Sequence, residues 1–487
     1  MELRSRVISA AGMVASGSVM RQLLSFVRTA VIARMLSLED FGIAATFMMT
    51  MAFAEMLTDF GVEKVMVQAT HGDDRRFEGT VHLLLVIRGL ILAFVLLLLA
   101  RPISVHLFDV PHAAWAFYVL ALIPLIRAFS HVDYLRYQRE MRFRPTVVVQ
   151  VVPELIATIL AWPFLYWLGT YAAVLWLIIG QSVVVVIMGH VVAERPYRWA
   201  WSREAFRYIV RFGWPLLVSG FLMYGILQGD RVVIGSMLDM TALALFTAAL
   251  KLTQAPSMFT GRVLTSIALP LLARLQDDRP AFDRQHGQIS VVCGLLGGGL
   301  VGTLLVVAGP LVVLVYGDRF AEAATIVGWL LAAEGIRMVR YAPIFAALSL
   351  GDTQNLLISN IVRGSALIVV IAVVARGGGL VAVAIVACFG EAVALLVSLL
   401  LVQVRHGIPM STCLIPAAVA GIWPTVSAII LVAFEPQNWF VIGGISAFMG
   451  FAVLGTMLAA FPSLRLMLRR GGSGTSGLAD GSQSAGP

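Results

Sequence analysis

The side chains able to do chemistry in this sequence are charges set inside stretches apolar enough to cross a membrane. Between Ser18 and Gly42 one such stretch carries Arg21, Gln22 and Arg28. At about 100° per residue, Ser18, Arg21, Gln22, Ser25, Arg28 and Thr29 fall within roughly a third of a helix circumference. A polar stripe therefore runs along an otherwise apolar helix. A charge at mid-bilayer costs at least ~2.5–3.5 kcal/mol, so such arginines face a protein interior or a watery cavity. The guanidinium is a planar, permanently charged fork suited to phosphate or carboxylate oxygens. The stripe reads as one wall of a cationic cavity.

A second stripe has the same character. Tyr224, Gln228 and Arg231 are spaced to share a helix face, and Lys251 lies about ten residues into the following segment, ~15 Å deep at 1.5 Å per residue. Asp230 is at a comparable depth, which predicts an Asp230–Lys251 pair; by the same measure Glu55 matches Arg21. Arg28 then has no acid at its depth and is the first candidate for a charge left to a ligand, with Arg231 second; each serves either as a ligand contact or as half of a structural pair. Further along, Glu334, Arg337, Arg340 and Tyr341, then Asn355, Ser359 and Arg363, extend the polar set, with Glu334 expected to neutralise an arginine. Glu154, Glu391 and Arg127 are single charges to which spacing assigns no partner. His82, His106, His112, His131 and His190 lie at segment ends or in loops and read as interfacial.

Several chemistries are not indicated. Cys293, Cys388 and Cys413 stand alone in apolar segments without a CxxC or a nearby histidine pair, so neither a disulfide framework nor a metal site is expected, and no cofactor. There is no GxSxG, P-loop or HExxH, which argues against an enzyme and against ATP hydrolysis in this chain. The formal charge of +8 comes almost wholly from arginines scattered through short loops, with Lys64 and Lys251 the only lysines, and no nucleic-acid motif accompanies them.

The elements that must position these charges follow from hydropathy. Of 487 residues 59% are hydrophobic and only 13% charged, about half the charge of a soluble domain. Apolar segments of spanning length recur at 13–35, 41–61, 81–100, 113–132, 146–168, 171–193, 214–238, 241–261, 289–315, 323–348, 355–375, 379–402, 412–434 and 439–461. That predicts an all-α polytopic membrane protein with about fourteen transmembrane helices. Arginines concentrate in alternate loops, which places both termini in the cytoplasm. With a shift of 202 residues, Val31, Ile32, Met35 and Leu36 match Val233, Ile234, Met237 and Leu238, and Asp230 and Arg231 fall opposite Arg28 and Thr29. The match suggests two parallel six-helix lobes, 1–200 and 201–404, facing each other across a central cavity. Two more helices follow over 405–465, and the glycine-rich stretch 466–487 is expected to be a disordered cytoplasmic tail.

Two stretches resemble a known family. Arg34-Met35-Leu36-Ser37 leading into Glu39-Asp40-Phe41-Gly42 and then Asp59-Phe60-Gly61 is similar to the opening of bacterial Wzx-type oligosaccharide flippases. So are Phe212-Gly213-Trp214-Pro215, Gly229-Asp230-Arg231, Ile234-Gly235 and Ala248-Ala249-Leu250-Lys251. The resemblance implies the fold of the multidrug/oligosaccharidyl-lipid/polysaccharide exporter superfamily: two pseudo-symmetric, MATE-like lobes whose cavity is lined by helices one, two, seven and eight. It implies an undecaprenyl-pyrophosphate-linked oligosaccharide as cargo, turned to the outer leaflet of the bacterial inner membrane by alternating access for surface or exopolysaccharide synthesis. Polysaccharide polymerase and chain-length proteins would be partners. A cation-coupled multidrug exporter should present acids where Arg28 and Arg231 stand. A lipid II flippase shares the helix count. A membrane polysaccharide polymerase, an enzyme, should carry a large periplasmic loop, and none is visible.

Overall fold

Runs of leucine, valine and alanine with few breakers fold as helices here, and the described residues contain no strand. The computed structural model describes residues 2–56, 58, 61–69, 74–434 and 439–461. In chain order the helices are α1 (Glu2–Met35), α2 (Leu38–Met56), α3 (Val62–Gln68), α4 (Arg75–Arg101), α5 (Ala114–Leu120) and α6 (Leu122–Ala128). They continue with α7 (Asp133–Arg139), α8 (Arg144–Leu168), α9 (Tyr171–Val192), α10 (Arg203–Met237), α11 (Met240–Ala273) and α12 (Arg279–Tyr316). The last are α13 (Ala324–Ser349), α14 (Gln354–Ala375), α15 (Leu380–His406), α16 (Ser411–Phe434) and α17 (Trp439–Ala460).

The described residues of each expected span are mostly helical, the fourth being divided between α5 and α6 and ending in the non-helical residues 129–132. Ten described helical segments are long and apolar enough to cross a membrane. Helices α1, α2, α11 and α13 are not among them; they carry Arg21 and Arg28, Glu39, Asp40 and Glu55, Lys251, and Glu334, Arg337 and Arg340. These charges lower the hydropathy of the helices that carry them. Asp59, Phe60 and the stretch 466–487 lie outside the described residues.

The chain divides into two compact units. The first comprises the chain up to Lys251 with Val313–Glu322 and Val370–Leu380; the second comprises Leu252–Val312, Ala323–Val369 and the chain from Val381 onward. In the first unit α8 packs on both α1 and α9, while α4 packs on α5 and α6 and α10 on α2. Thr158 on α8 donates to the Leu24 carbonyl of α1 at 3.2 Å. Phe94 and Leu98 on α4 remain over 60% exposed, as side chains that meet lipid are.

The junction between α1 and α2 explains the Arg34-to-Gly42 motif in physical terms. Ser37 accepts from the Asp40 N–H at 3.0 Å and so caps α2. Asp40 takes the Tyr171 N–H at 3.0 Å, fixing the start of α9, and Arg34 donates to the carbonyls of Leu314 and Val315. Gly42 is required by contact: a Cβ there would stand 2.0 Å from the Met240 carbonyl oxygen.

In the second unit α13 is the most enclosed helix, and Leu272, Phe282, Cys293, Phe345, Leu399 and Cys413 share one core cluster. The Gly297–Gly299 run brings backbones together. A Cβ on Gly297 would lie 2.7 Å from the Gly335 carbonyl of α13, and one on Gly298 2.6 Å from the Ala420 carbonyl of α16.

Candidate anion-binding site

Helices α1, α8 and α9 place Arg28, Glu154 and Gln181 in a closed triangle. Arg28 pairs with the Glu154 carboxylate at 3.0 Å and donates to Gln181 Oε1 at 2.9 Å; Gln181 Nε2 donates to the other Glu154 oxygen at 2.7 Å. Sequence depth offered Arg28 no acid because only the adjacent span was considered; the acid comes from α8, over a hundred residues on. Arg28 is therefore held rather than free, with its side chain 13% exposed and that of Glu154 8%.

Lys251 on α11 completes the group. The charges acting on it are Arg231, Arg28 and Glu154, so the Asp230–Lys251 pair expected from depth gives way to a shared cluster. Asp230 and Tyr224 act electrostatically on Arg231. Arg231 donates to Gln228 Oε1 at 3.0 Å, one turn back on α10, while its buried Nε has no hydrogen-bond partner. Lys251 forms no ion pair within 4 Å among the described residues. Lys251 thus lies within electrostatic reach of two arginines and of Glu154, and Arg231 within that of Asp230, with the Lys251 ammonium and Arg231 Nε as unused donors. Tyr224 donates to the Met49 carbonyl at 3.3 Å and packs on Phe53, which fixes the α10 face that carries Gln228 and Arg231.

The remaining residues of the stripe are placed otherwise. Arg21 is exposed and Gln22 half-buried, and neither joins the cluster. Glu55 pairs with Arg127 of α6 instead of Arg21, and the Glu55 and Thr58 neighbourhood also receives Arg88. Depth along a helix is one coordinate; the direction a side chain faces and the helix that arrives there decide the pair.

The second unit holds its own charge network. Glu391 on α15 takes Arg337 at 2.8 Å and Arg363 at 2.6 Å on one oxygen and Arg340 at 3.2 Å on the other. Arg337 also pairs with Glu334 at 2.7 Å, whose second oxygen receives Ser257. Arg340 reaches Asn360 Oδ1 at 3.2 Å. Arg337 and Arg340, expected to line a cavity, are here committed to one buried carboxylate that sequence reading left unassigned.

Of the histidines read from sequence as interfacial, His106, His112 and His190 are exposed, while His82 and His131 are buried. His82 and His131 are each 1% exposed and lie against His190 and Tyr197, with ring centroids 4.2–5.6 Å apart. No single segment carries more than one of these three histidines, so no spacing rule marks them.

Comparison with known proteins bears on the family and the fold. The family profile described as "Polysaccharide biosynthesis protein" matches residues 31–325. The chain is 23% identical to the succinoglycan biosynthesis transport protein ExoT of Rhizobium meliloti (strain 1021), over 64% of this chain and 63% of that one. It is 22% identical to the lipopolysaccharide biosynthesis protein WzxC of Escherichia coli (strain K12), over 66% and 65%. The match thus spans slightly less than two thirds of each relative's length. Among solved structures, the lipid II flippase MurJ in an inward closed conformation superposes with a TM-score of 0.71 at 13% identity, covering 92% of this chain and 98% of that one. An inward-facing MATE multidrug transporter of the MOP superfamily gives 0.61 at 18% identity, covering 81% and 98%. The fold is therefore that of the MATE-like, all-α polytopic membrane proteins.

Proposed function

The chain belongs to the polysaccharide biosynthesis protein family, whose profile covers more than half of it, and on that premise we propose that it is a flippase for lipid-linked oligosaccharides. It carries undecaprenyl-pyrophosphate-linked repeat units from the cytoplasmic to the periplasmic leaflet of the bacterial inner membrane by alternating access, with both termini in the cytoplasm. Two six-helix lobes followed by two further helices do this work. Polymerase and chain-length proteins consume the product.

The feature that supports this reading is the set of cations Arg28, Arg231 and Lys251, of which Arg28 is paired with Glu154 while Lys251 feels both arginines and forms no ion pair within 4 Å among the described residues. A pyrophosphate supplies the anion that such a group lacks, and the unused Arg231 Nε and the Lys251 ammonium supply donors. Membrane-embedded charges of one excess sign mark substrate pathways. A carrier of cationic drugs needs the opposite excess, so the multidrug reading is not favoured. The transport named for ExoT and the polysaccharide context of WzxC support the cargo class.

The test is complementation of a deletion strain with Arg231→Ala and Lys251→Met. Both variants are expected to reach wild-type membrane levels and to lose surface glycan at least tenfold. Normal export from both removes the assignment of the cluster to the cargo.

A further inference from the structure

A second built site lies in the first unit, away from the cationic cluster. Glu78 and His82 stand four residues apart on α4 and so share a face; His131 precedes α7. Their ligand atoms all lie within 4.8 Å of one another, and all three residues are at most 4% exposed. Each imidazole presents its donor nitrogen to a backbone carbonyl: His82 Nδ1 to Arg198 O at 3.2 Å and His131 Nε2 to Arg195 O at 2.9 Å. The opposite nitrogens, His82 Nε2 and His131 Nδ1, are acceptors. They meet only the consecutive backbone N–H groups of Val132 and Asp133, at 3.4 and 3.2 Å. One Glu78 oxygen is held by Arg195 at 3.2 Å, and the other, Oε1, is buried without a hydrogen-bond partner.

We propose that Glu78, His82 and His131 bind a divalent transition-metal ion, zinc by preference. Two neutral imidazoles and a carboxylate are an ordinary zinc donor set, and ligating histidines characteristically hold their second nitrogen on a carbonyl, as both do here. The orphaned carboxylate oxygen is the third donor, and an ion moving in displaces only two long backbone contacts. A fourth position is left for water, and the Tyr197 ring lies 4.2 Å from the His82 ring with its hydroxyl buried and without a hydrogen-bond partner. The surrounding charges include Glu78 paired with Arg195 and Asp133 paired with Arg136, which also meets Glu140 and Glu194 at 3.3 Å. Because both histidines and Arg195 also grip residues 195–198, the ion fastens the start of α4 to the segment that leads into α10, the helix carrying Arg231. The role is structural and does not depend on the cargo.

The test uses the full chain, purified without a polyhistidine tag into nanodiscs of neutral lipid and dialysed against metal-free buffer. Zinc chloride alone is the probe, read by elemental analysis and by thermal unfolding. One zinc per chain is expected, with a rise in the unfolding midpoint that a chelator reverses. Glu78→Gln and His131→Gln should weaken binding by about 100-fold or more, beyond the loss typical of an outer-shell change. If the histidine variant does not fold, the wild-type stoichiometry and Glu78→Gln decide the matter. Wild-type protein that takes up no zinc, or Glu78→Gln that keeps wild-type stoichiometry and affinity, overturns the proposal.

Discussion

Replacing Glu154 with glutamine should both destabilise the protein and make it depend on anions. The pair with Arg28 is 3.0 Å long and largely desolvated. At an effective dielectric constant near 20, two unit charges at that distance attract by about 5.5 kcal/mol. Part of this offsets the cost of burying the ions, and removing one partner of a buried pair typically costs ~3–5 kcal/mol. The glutamine retains the shape and can accept one hydrogen bond, returning about 1 kcal/mol. A net loss of about 2–4 kcal/mol follows. The same change removes the carboxylate that competes with a bound phosphate for Arg28 and Lys251. Pyrophosphate at 100 times its Kd adds about 2.7 kcal/mol, enough to recover most of the deficit. The assay is thermal unfolding in neutral nanodiscs with and without sodium pyrophosphate. Glu154→Gln should melt earlier than wild type and gain more from pyrophosphate. A variant that melts with wild type, or one that pyrophosphate stabilises no better than wild type, refutes the reasoning.

Other outcomes follow from the same geometry. Glu391→Gln leaves Arg337, Arg340 and Arg363 around a neutral amide; a loss of about 3–5 kcal/mol should appear as reduced membrane levels on immunoblots and an earlier melt. Gly42→Ala must displace the Met240 backbone and should cost ~1–3 kcal/mol, whereas Gly180→Ala, with open space around its Cβ, should melt as wild type. Asp133 gives a pH signature. Burial alone would raise its carboxyl, but hydrogen bonds from Arg136 and from the Glu194 and Arg195 N–H groups outweigh it and hold the group below the usual carboxylate range. The native-state pKa lies below the unfolded value of about 3.9, so its contribution is present above that pH and fades as pH falls through the lower native value. The stability gap between wild type and Asp133→Asn should be constant above pH ~4 and narrow as pH falls below it; a gap that stays constant into acid contradicts the assignment.

How much of this was legible in sequence depends on which physical quantity each feature records. Helices are written in local hydropathy, so the apolar stretches coincide with helices and the polar stripes of α1 and α10 could be drawn directly. The partner of a buried charge is written in helix neighbours, which no local pattern contains. Arg21 and Glu55 agree in depth, yet α6 brings Arg127 to Glu55. Arg28 seemed unmatched until α8 supplied Glu154. Glu391 gathers arginines from α13 and α14, and the histidines converge from three separate segments. The Ser37-to-Gly42 motif was visible as a pattern, but its meaning required the Tyr171 N–H and the Met240 carbonyl that it meets.

The central claim is that this chain turns an anionic lipid-linked glycan across the membrane, and leaflet accounting in a chromosomal deletion strain tests it most directly. Lipid-linked repeat units are quantified on each face of the inner membrane, together with surface polysaccharide. The account predicts loss of surface glycan with repeat units accumulating on the cytoplasmic leaflet, reversed by the wild-type gene. Repeat units gathering on the periplasmic leaflet, or unchanged glycan with increased drug sensitivity, would contradict it.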